Sequence, residues 1–339
     1  KKPIEEARKL MGKAPISVKW VDVNKGDDEN PNYRSRLVAR EIGFKAMAVF
    51  FAAMPPYSAL KCIFALAMTA SWRDLRGNYY SVKEQLLILF VDVKRAHFRS
   101  PATRELYVEL PEEAGAPPGF VGRLLQSMYG MRDAAYNWEC EVLRALLILE
   151  FTQGVSNPCP YFHTKRQLRV EIHGDDFVVL GLRAELVWLD ASLKEYWDTK
   201  SEIFGPPGET QCVHQARILG RLVTWKRSGI ELEADPRLAE LVVKSLGVLN
   251  ANGKVTTPIV KEKAKSTISE ATTDAPEDDS DVDVDEEEAT LYRSNAMRIN
   301  FLGQDRPELQ FACRELAKGM KTPKQRHMGM LKRVARFLR

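Results

Sequence analysis

The sequence predicts an α+β protein of more than one lobe, and three observations lead there. Short apolar runs of strand length end on acids or on a Gly-Asp-Asp turn, the coarse order being strand, helix, strand, strand, and helical patterns gather at the C-terminal end. The 339 residues exceed the roughly 250 to 300 that one hydrophobic core usually serves. The composition is that of a soluble globular protein, 45% hydrophobic and 28% charged, with no internal repeat and no apolar run near the roughly 18 residues a membrane span needs. No membrane partner is expected.

Charge is segregated along the chain. Residues 270–288, EATTDAPEDDSDVDVDEEE, hold eleven acids and no Lys or Arg. The remainder carries 50 basic against 35 acidic groups, a net +15 against +4 for the whole chain, which suits a polyanionic partner. Five cysteines without a C-x-x-C pair point to reduced thiols and an intracellular setting, in cytoplasm or nucleus. Neither terminus reads as a natural end, so a fragment of a longer polypeptide is expected.

Taken in order, SVKWVDVNKGDDENPNYRSRLVARE reads as a hairpin from about Ile16 to Arg40, with Arg34, Arg36 and Arg40 on one face of its second strand. Without further context that row reads as a solvated face. A buried helix follows from about Ser58 to Trp72. EQLLILFVDV is a strand covered on both sides that turns polar at Asp92. A long helix begins near Ala134, and QLRVEIHGDDFVVLG gives two strands joined at Gly174-Asp175-Asp176. Beyond it come a helix, a hairpin in RILGRLVTWKRSGIELE and a helix begun at Pro236. Residues 256–290 are expected to be a disordered acidic linker, and 291–339 two or three amphipathic helices.

Three carboxylates carry the chemistry in this pattern. If the strand ending at Asp92 lies beside the hairpin carrying Asp175 and Asp176, the acids meet at one sheet edge, where repulsion raises their pKa values unless cations neutralise them. Oxygen-only ligands suit Mg²⁺, and two such ions about 4 Å apart activate one oxygen for attack on phosphorus while stabilising the leaving one. Gly-Asp-Asp alone is an ordinary turn sequence, and Asp92 alone an ordinary strand-end acid. The two segments together are more specific.

With these segments in view the sequence resembles the reverse transcriptases of copia-type retrotransposons. SRLVARE is similar to that family's fingers strand, FVDVKRAHF to its first acidic motif, and LYVELPEEAGAPPGF to the acidic-Pro stretch after it. LLQSMYGMRDAAYNW is similar to its next helix-entry motif, HGDDFVVLG to its Y-V-D-D hairpin, and the segments around RLAELVVKSLG and YRSNAMRINFLG to its later regions. The likeness runs from about Pro15 to Leu338 and is interrupted by the acidic stretch.

The resemblance implies a right-hand polymerase: a palm of antiparallel sheet plus helices, fingers and thumb, followed by a helical C-terminal segment. The implied divisions are 1–91 for fingers and the start of the palm, 92–204 for the palm, 205–255 for its end and the thumb, and 291–339 for the helical part. Asp92, Asp175 and Asp176 would be catalytic and, with the backbone carbonyl of Val93, would hold two Mg²⁺ ions, Mn²⁺ being a substitute. Arg36, Arg40, His97, Asp133 and Lys200 would face the nucleotide. Lys200 would protonate pyrophosphate, or else is a solvated helix-end lysine. Tyr129, Gly130, Trp138 and Gly174 would meet nucleic acid. Implied partners are an RNA or DNA template with its primer, deoxynucleoside triphosphates, and integrase and RNase H domains in the full-length product.

Three positions depart from the family pattern. His97 stands where Phe or Tyr usually blocks the ribose hydroxyl. Asp133 stands where Gln is common, bringing a charge that Arg132 is placed to neutralise. Gly174 replaces a larger residue in the hairpin, where it is expected to loosen the turn. The leading expectation is an RNA-directed DNA polymerase. An RNA-directed RNA polymerase, motivated by Gly-Asp-Asp and His97, and an inactive relic that only binds nucleic acid are the alternatives.

Overall fold

The structure, a computed structural model, describes residues 1–24, 29–41, 52–69, 71–73, 79–81, 85–250, 255–259 and 282–339. The chain divides into two compact units, Lys1–Val213 and His214–Arg339. No helix among the described residues is long and apolar enough to cross a membrane, and all five cysteines are unpaired.

The first unit opens with β1 (Lys2–Pro3) and α1 (Ile4–Met11), then the hairpin of β2 (Val18–Asn24) and β3 (Tyr33–Ala39). The helix α2 (Tyr57–Ala67) follows and stops short of the expected Trp72, which instead lies in β4 (Ser71–Arg73), paired with β5 (Tyr79–Ser81). The Thr69 hydroxyl donates to the Ala65 carbonyl at the last turn, the kind of local bond by which a short polar side chain competes with helix continuation. Next come β6 (Leu87–Val93), β7 (Tyr107–Glu109), β8 (Phe120–Arg123), α3 (Ala134–Ile148), β9 (Thr152–Gln153), β10 (Pro160–His163), β11 (Leu168–His173), β12 (Asp176–Gly181), α4 (Arg183–Tyr196) and β13 (Thr199–Phe204).

Six of these strands form one sheet in the order β13-β6-β12-β11-β10-β9, every pairing antiparallel. The alternation of β6 explains its burial on both faces. Leu87, Leu89, Val91 and Val93 join the core beneath α3 and α4, with Trp138, Leu146, Leu186 and Leu189. Phe90 points the other way, where its ring meets Phe204 at 5.5 Å and Phe64 of α2 at 6.5 Å. The next residue on that face is Asp92, which is exposed. Both sides of the sheet are thus sealed up to Phe90, and the acid stands where the cover ends. A separate small sheet, β1-β8-β7, packs on α1 through Ala7, Tyr107 and Val121.

The second unit begins with a meander, β14 (Gln215–Ile218), β15 (Arg221–Lys226) and β16 (Gly229–Ala234), three strands where a hairpin was expected. Then come α5 (Arg237–Ser245), α6 (Glu286–Leu302), α7 (Gln310–Lys318) and α8 (Gln325–Leu338), closed on a core that includes Val242, Tyr292, Ile299 and Leu331. Arg221 and Asp305 form a buried ion pair at 2.9 Å. One expectation is corrected here: α6 begins at Glu286, inside the stretch read as a disordered acidic linker. The Asp285 side chain accepts from the Glu288 amide at 2.7 Å, and acids in a first turn are favoured by the exposed amides and dipole of a helix N-terminus. Residues 260–281, most of that linker, lie outside the described residues.

Candidate functional site

The pairing registers bring the sequence-derived acids together. Asp92 on β6 is the direct partner of Asp176 on β12, and Asp176 is the direct partner of His173 on β11. On the other side of Asp92 its partner is Lys200 on β13. Directly paired residues project to the same face with Cβ atoms about 4.5–5.5 Å apart. His173, Asp176, Asp92 and Lys200 therefore form one row across four strands. Lys200 lies in a strand and is exposed, not at a helix end. Asp175 sits in the turn, its carbonyl accepting from the Val93 amide at 3.0 Å, which fixes the turn to the end of β6.

The turn itself is two residues, Gly174 and Asp175, with Gly174 at φ +67° and Asp175 outside the positive-φ set. That is the pattern of a type II′ hairpin, whose first central position favours glycine. Gly174 thus suits the turn's backbone, which corrects the expectation that it loosens it. Its carbonyl is held by the indole Nε1 of Trp138 at 2.8 Å.

Trp138 is 3% exposed and packs on Trp197 at 5.0 Å. The expectation that it meets nucleic acid is corrected: its faces are in the core, and its polar edge anchors the hairpin. Trp138→Phe keeps most of the packing and deletes the donor, leaving the Gly174 carbonyl without its partner, at a cost of about 1–3 kcal/mol. We expect a lower melting temperature, read by thermal unfolding.

Within electrostatic reach of the acids lies an aromatic and basic group. His97, in the 3-10 turn Ala96–Arg99, stacks on Tyr129 with centroids 4.5 Å apart, and Phe98 meets the same ring at 5.6 Å. Burial lowers the His97 pKa although Asp175 opposes it, and its Nδ1 is buried without a partner. The guanidinium of Arg36 lies 5.5 Å from the Tyr129 centroid. Burial and the charge of Asp175 raise the Tyr129 hydroxyl, while Arg36 and Arg34 pull it down. Arg34, which sequence parity placed beside Arg36, thus belongs to the group. Arg40 lies past the end of β3, exposed, its amide bonded to the Ser17 carbonyl.

Gly130 has a conformational and packing role in the structure, at φ +87°, where a Cβ would fall 2.0 Å from the Ala39 carbonyl oxygen. The Ala39 amide donates to the Tyr129 carbonyl at 2.8 Å. These two contacts dock the end of β3, and with it Arg36, onto the Tyr129 segment. Asp133 departs furthest from expectation. It is fully buried at the start of α3 and bound by Arg104, whose Nε and Nη2 lie 2.8 and 2.5 Å from its oxygens. The charge is neutralised by Arg104 and not by Arg132, and the carboxylate is closed off from solvent. Arg104 has no local sequence signal, because its partners lie 29 and 63 residues away.

The donor set fits a hard divalent cation. Among the described residues no group of three His, Cys, Asp or Glu side chains, these acids included, is arranged to hold a metal ion by itself. Mg²⁺ typically takes one or two carboxylates and completes its shell with water and substrate phosphates, so a closed protein cage is not required. Asp176 records the unbalanced charge: burial, then Asp175, then Asp92 push its carboxyl up to about 6 from an ordinary 3.8.

A raised carboxyl pKa means the folded state disfavours the charge. The penalty is absent below about pH 3.8, where folded and unfolded chains are both protonated, and complete above about pH 6. Asp176→Asn is therefore expected to stabilise the metal-free protein by about 1–2 kcal/mol at pH 8, allowing for partial exposure, and by nothing at pH 3.5. Urea unfolding at the two pH values checks it.

The model of the family described as reverse transcriptase (RNA-dependent DNA polymerase) matches residues 8–261, more than half of the chain. The chain belongs to that family. It is 21% identical over 332 residues to a retrovirus-related Pol polyprotein from transposon RE1 of Arabidopsis thaliana, covering 95% of this chain and 20% of that one. It is 26% identical over 257 residues to the corresponding polyprotein from transposon TNT 1-94 of Nicotiana tabacum, covering 73% and 18%. The chain thus spans about a fifth of the length of the curated relatives it matches. Among solved structures it is similar to a foamy viral protease-reverse transcriptase in complex with double-stranded DNA, with a TM-score of 0.47 and 10% identity over 94% of this chain and 42% of that one.

Proposed function

We propose that this chain is the RNA-directed DNA polymerase region of a retrotransposon polyprotein, extending a primer on an RNA or DNA template with deoxynucleoside triphosphates. The observation that carries the reading is the in-register pairing of Asp92 with Asp176, with Asp175 tied by its carbonyl to Val93 beside them. In this reading the six-stranded sheet with its helices is the palm, the β2–β3 hairpin belongs to the fingers, and the second unit supplies the thumb and the helical C-terminal segment. Integrase and RNase H domains belong to the full-length product.

Asp92, Asp175 and the Val93 carbonyl would hold two Mg²⁺ ions, with Asp176 supporting them and Mn²⁺ as a substitute. When bound, the ions lower the pKa of the primer 3′ hydroxyl and stabilise charge on the phosphate oxygens. Arg36, with Arg34 and Arg40 on the same strand face or just past it, binds the triphosphate. Tyr129 and His97 form the platform under the sugar. Lys200, across from Asp92, donates a proton to the leaving pyrophosphate. Positioning and electrostatics supply most of the rate. Primer extension on an RNA template with Mg²⁺, deoxy- and ribonucleotides offered separately, tests this. Incorporation of deoxynucleotides supports the assignment, whereas incorporation confined to ribonucleotides, or none, defeats it.

A further inference from the structure

The first unit holds a second charged cluster, centred on Arg104. The single guanidinium of Arg104 is shared by two carboxylates. Besides the fork onto Asp133, its Nη1 and Nη2 donate to Oε1 and Oε2 of Glu41 at 2.9 and 2.8 Å. The Glu41 side chain is 5% exposed and that of Asp133 fully buried. Glu41 also accepts from the Arg132 amide at 3.0 Å and faces Lys13 at 3.4 Å. Thr103 donates to Asn137 at 3.1 Å, and Asn137 to Ser127 at 3.0 Å, extending the network along the start of α3. Burial alone would raise Glu41, but the bonds from Arg104 and the Arg132 amide outweigh it and hold the carboxyl at about 2. The network is therefore charged throughout the neutral range.

The positions of the two carboxylates in the chain give the cluster its meaning. Glu41 is two residues past β3, the strand that carries Arg36. Asp133 begins α3, and five residues on, Trp138 holds the carbonyl of the catalytic turn. Planar bidentate forks on both sides fix direction as well as distance, which a point charge does not. We propose that Arg104 is a positioning residue for nucleotide binding, a double clamp that sets Arg36 at a fixed distance from Asp92 and Asp175. This rests on the assignment of Arg36 to the triphosphate.

The test is single-nucleotide incorporation at varied deoxynucleotide concentration with saturating primer-template. Two variants are compared: Arg104→Lys, which keeps the charge and loses the forks, and Arg104→Met with Glu41→Gln and Asp133→Asn, which removes the buried charges together. Each is also placed in an Arg36→Ala background. We expect both variants to fold by circular dichroism, the half-saturating nucleotide concentration to rise at least tenfold, and the maximal rate to stay within about threefold. In the Arg36→Ala background the rise should vanish, because the clamp acts through that arginine. Arg36→Ala alone reports separately on the triphosphate assignment. Unchanged half-saturation, an increase additive with Arg36→Ala, or unfolding of both variants would overturn the proposal and leave the clamp to stability alone.

Discussion

Asp92→Asn and Asp175→Asn are each expected to lower the rate of primer extension by about 10³-fold or more while the protein stays folded. The magnitude follows from what the side chains do. A neutral amide of the same shape keeps the strand register, since the β6–β12 pairing is made by backbone and by Phe90, Val91, Phe177 and Val178. It removes the anionic oxygen that a divalent ion needs. Lys200, the cross-strand neighbour of Asp92, is exposed, so an amide at Asp92 leaves it solvated by water. Loss of activity in a protein that unfolds no more easily than wild type is the expected pair of results, since removing either charge relieves repulsion on Asp176. Extension by either purified variant at a tenth of the wild-type rate or above would remove it from the metal-binding set.

Gly130→Ala should be the most damaging glycine-to-alanine change among the described residues of the first unit. The added Cβ would meet a backbone carbonyl oxygen at 2.0 Å, and the residue's φ of +87° is one that L side chains resist. Backbone cannot step aside as a side-chain tip does, so the end of β3 must lift and the bond from the Ala39 amide to the Tyr129 carbonyl must lengthen or break. We expect about 2–4 kcal/mol of destabilisation, together with weaker nucleotide binding as Arg36 leaves its place over Tyr129. Thermal unfolding and nucleotide titration measure the two effects. A variant within 0.5 kcal/mol of wild type, on the ordinary scale of a surface change, would mean that the close approach is not part of the fold.

These residues also mark how far the sequence was legible. Asp92 could be read because an apolar run that ends on an acid records where the cover of a buried strand stops. The hairpin could be read because Gly-Asp-Asp between two alternating strands is turn chemistry. What the sequence left undecided was register. That Asp176 starts β12 opposite Asp92, while Asp175 occupies the turn, depends on pairing across 84 residues of chain. Trp138 was misread for a related reason: an indole at a helix entry looks the same in sequence whether its face meets a base or its edge meets a carbonyl. Arg104 was invisible because an ion pair between distant residues has no period and no spacing. The start of α6 was hidden by composition, since an acid run that reads as disorder is also a favourable first helical turn when Asp285 caps it.

We propose that Asp92, Asp175 and Asp176 gather divalent ions around a nucleotide. The most direct test is the number of Mn²⁺ ions bound by the complex of protein, dideoxy-terminated primer-template and nucleotide, measured by electron paramagnetic resonance. The wild-type complex should hold two ions and the Asp92→Asn complex fewer than one. Two ions retained without Asp92 would contradict the account.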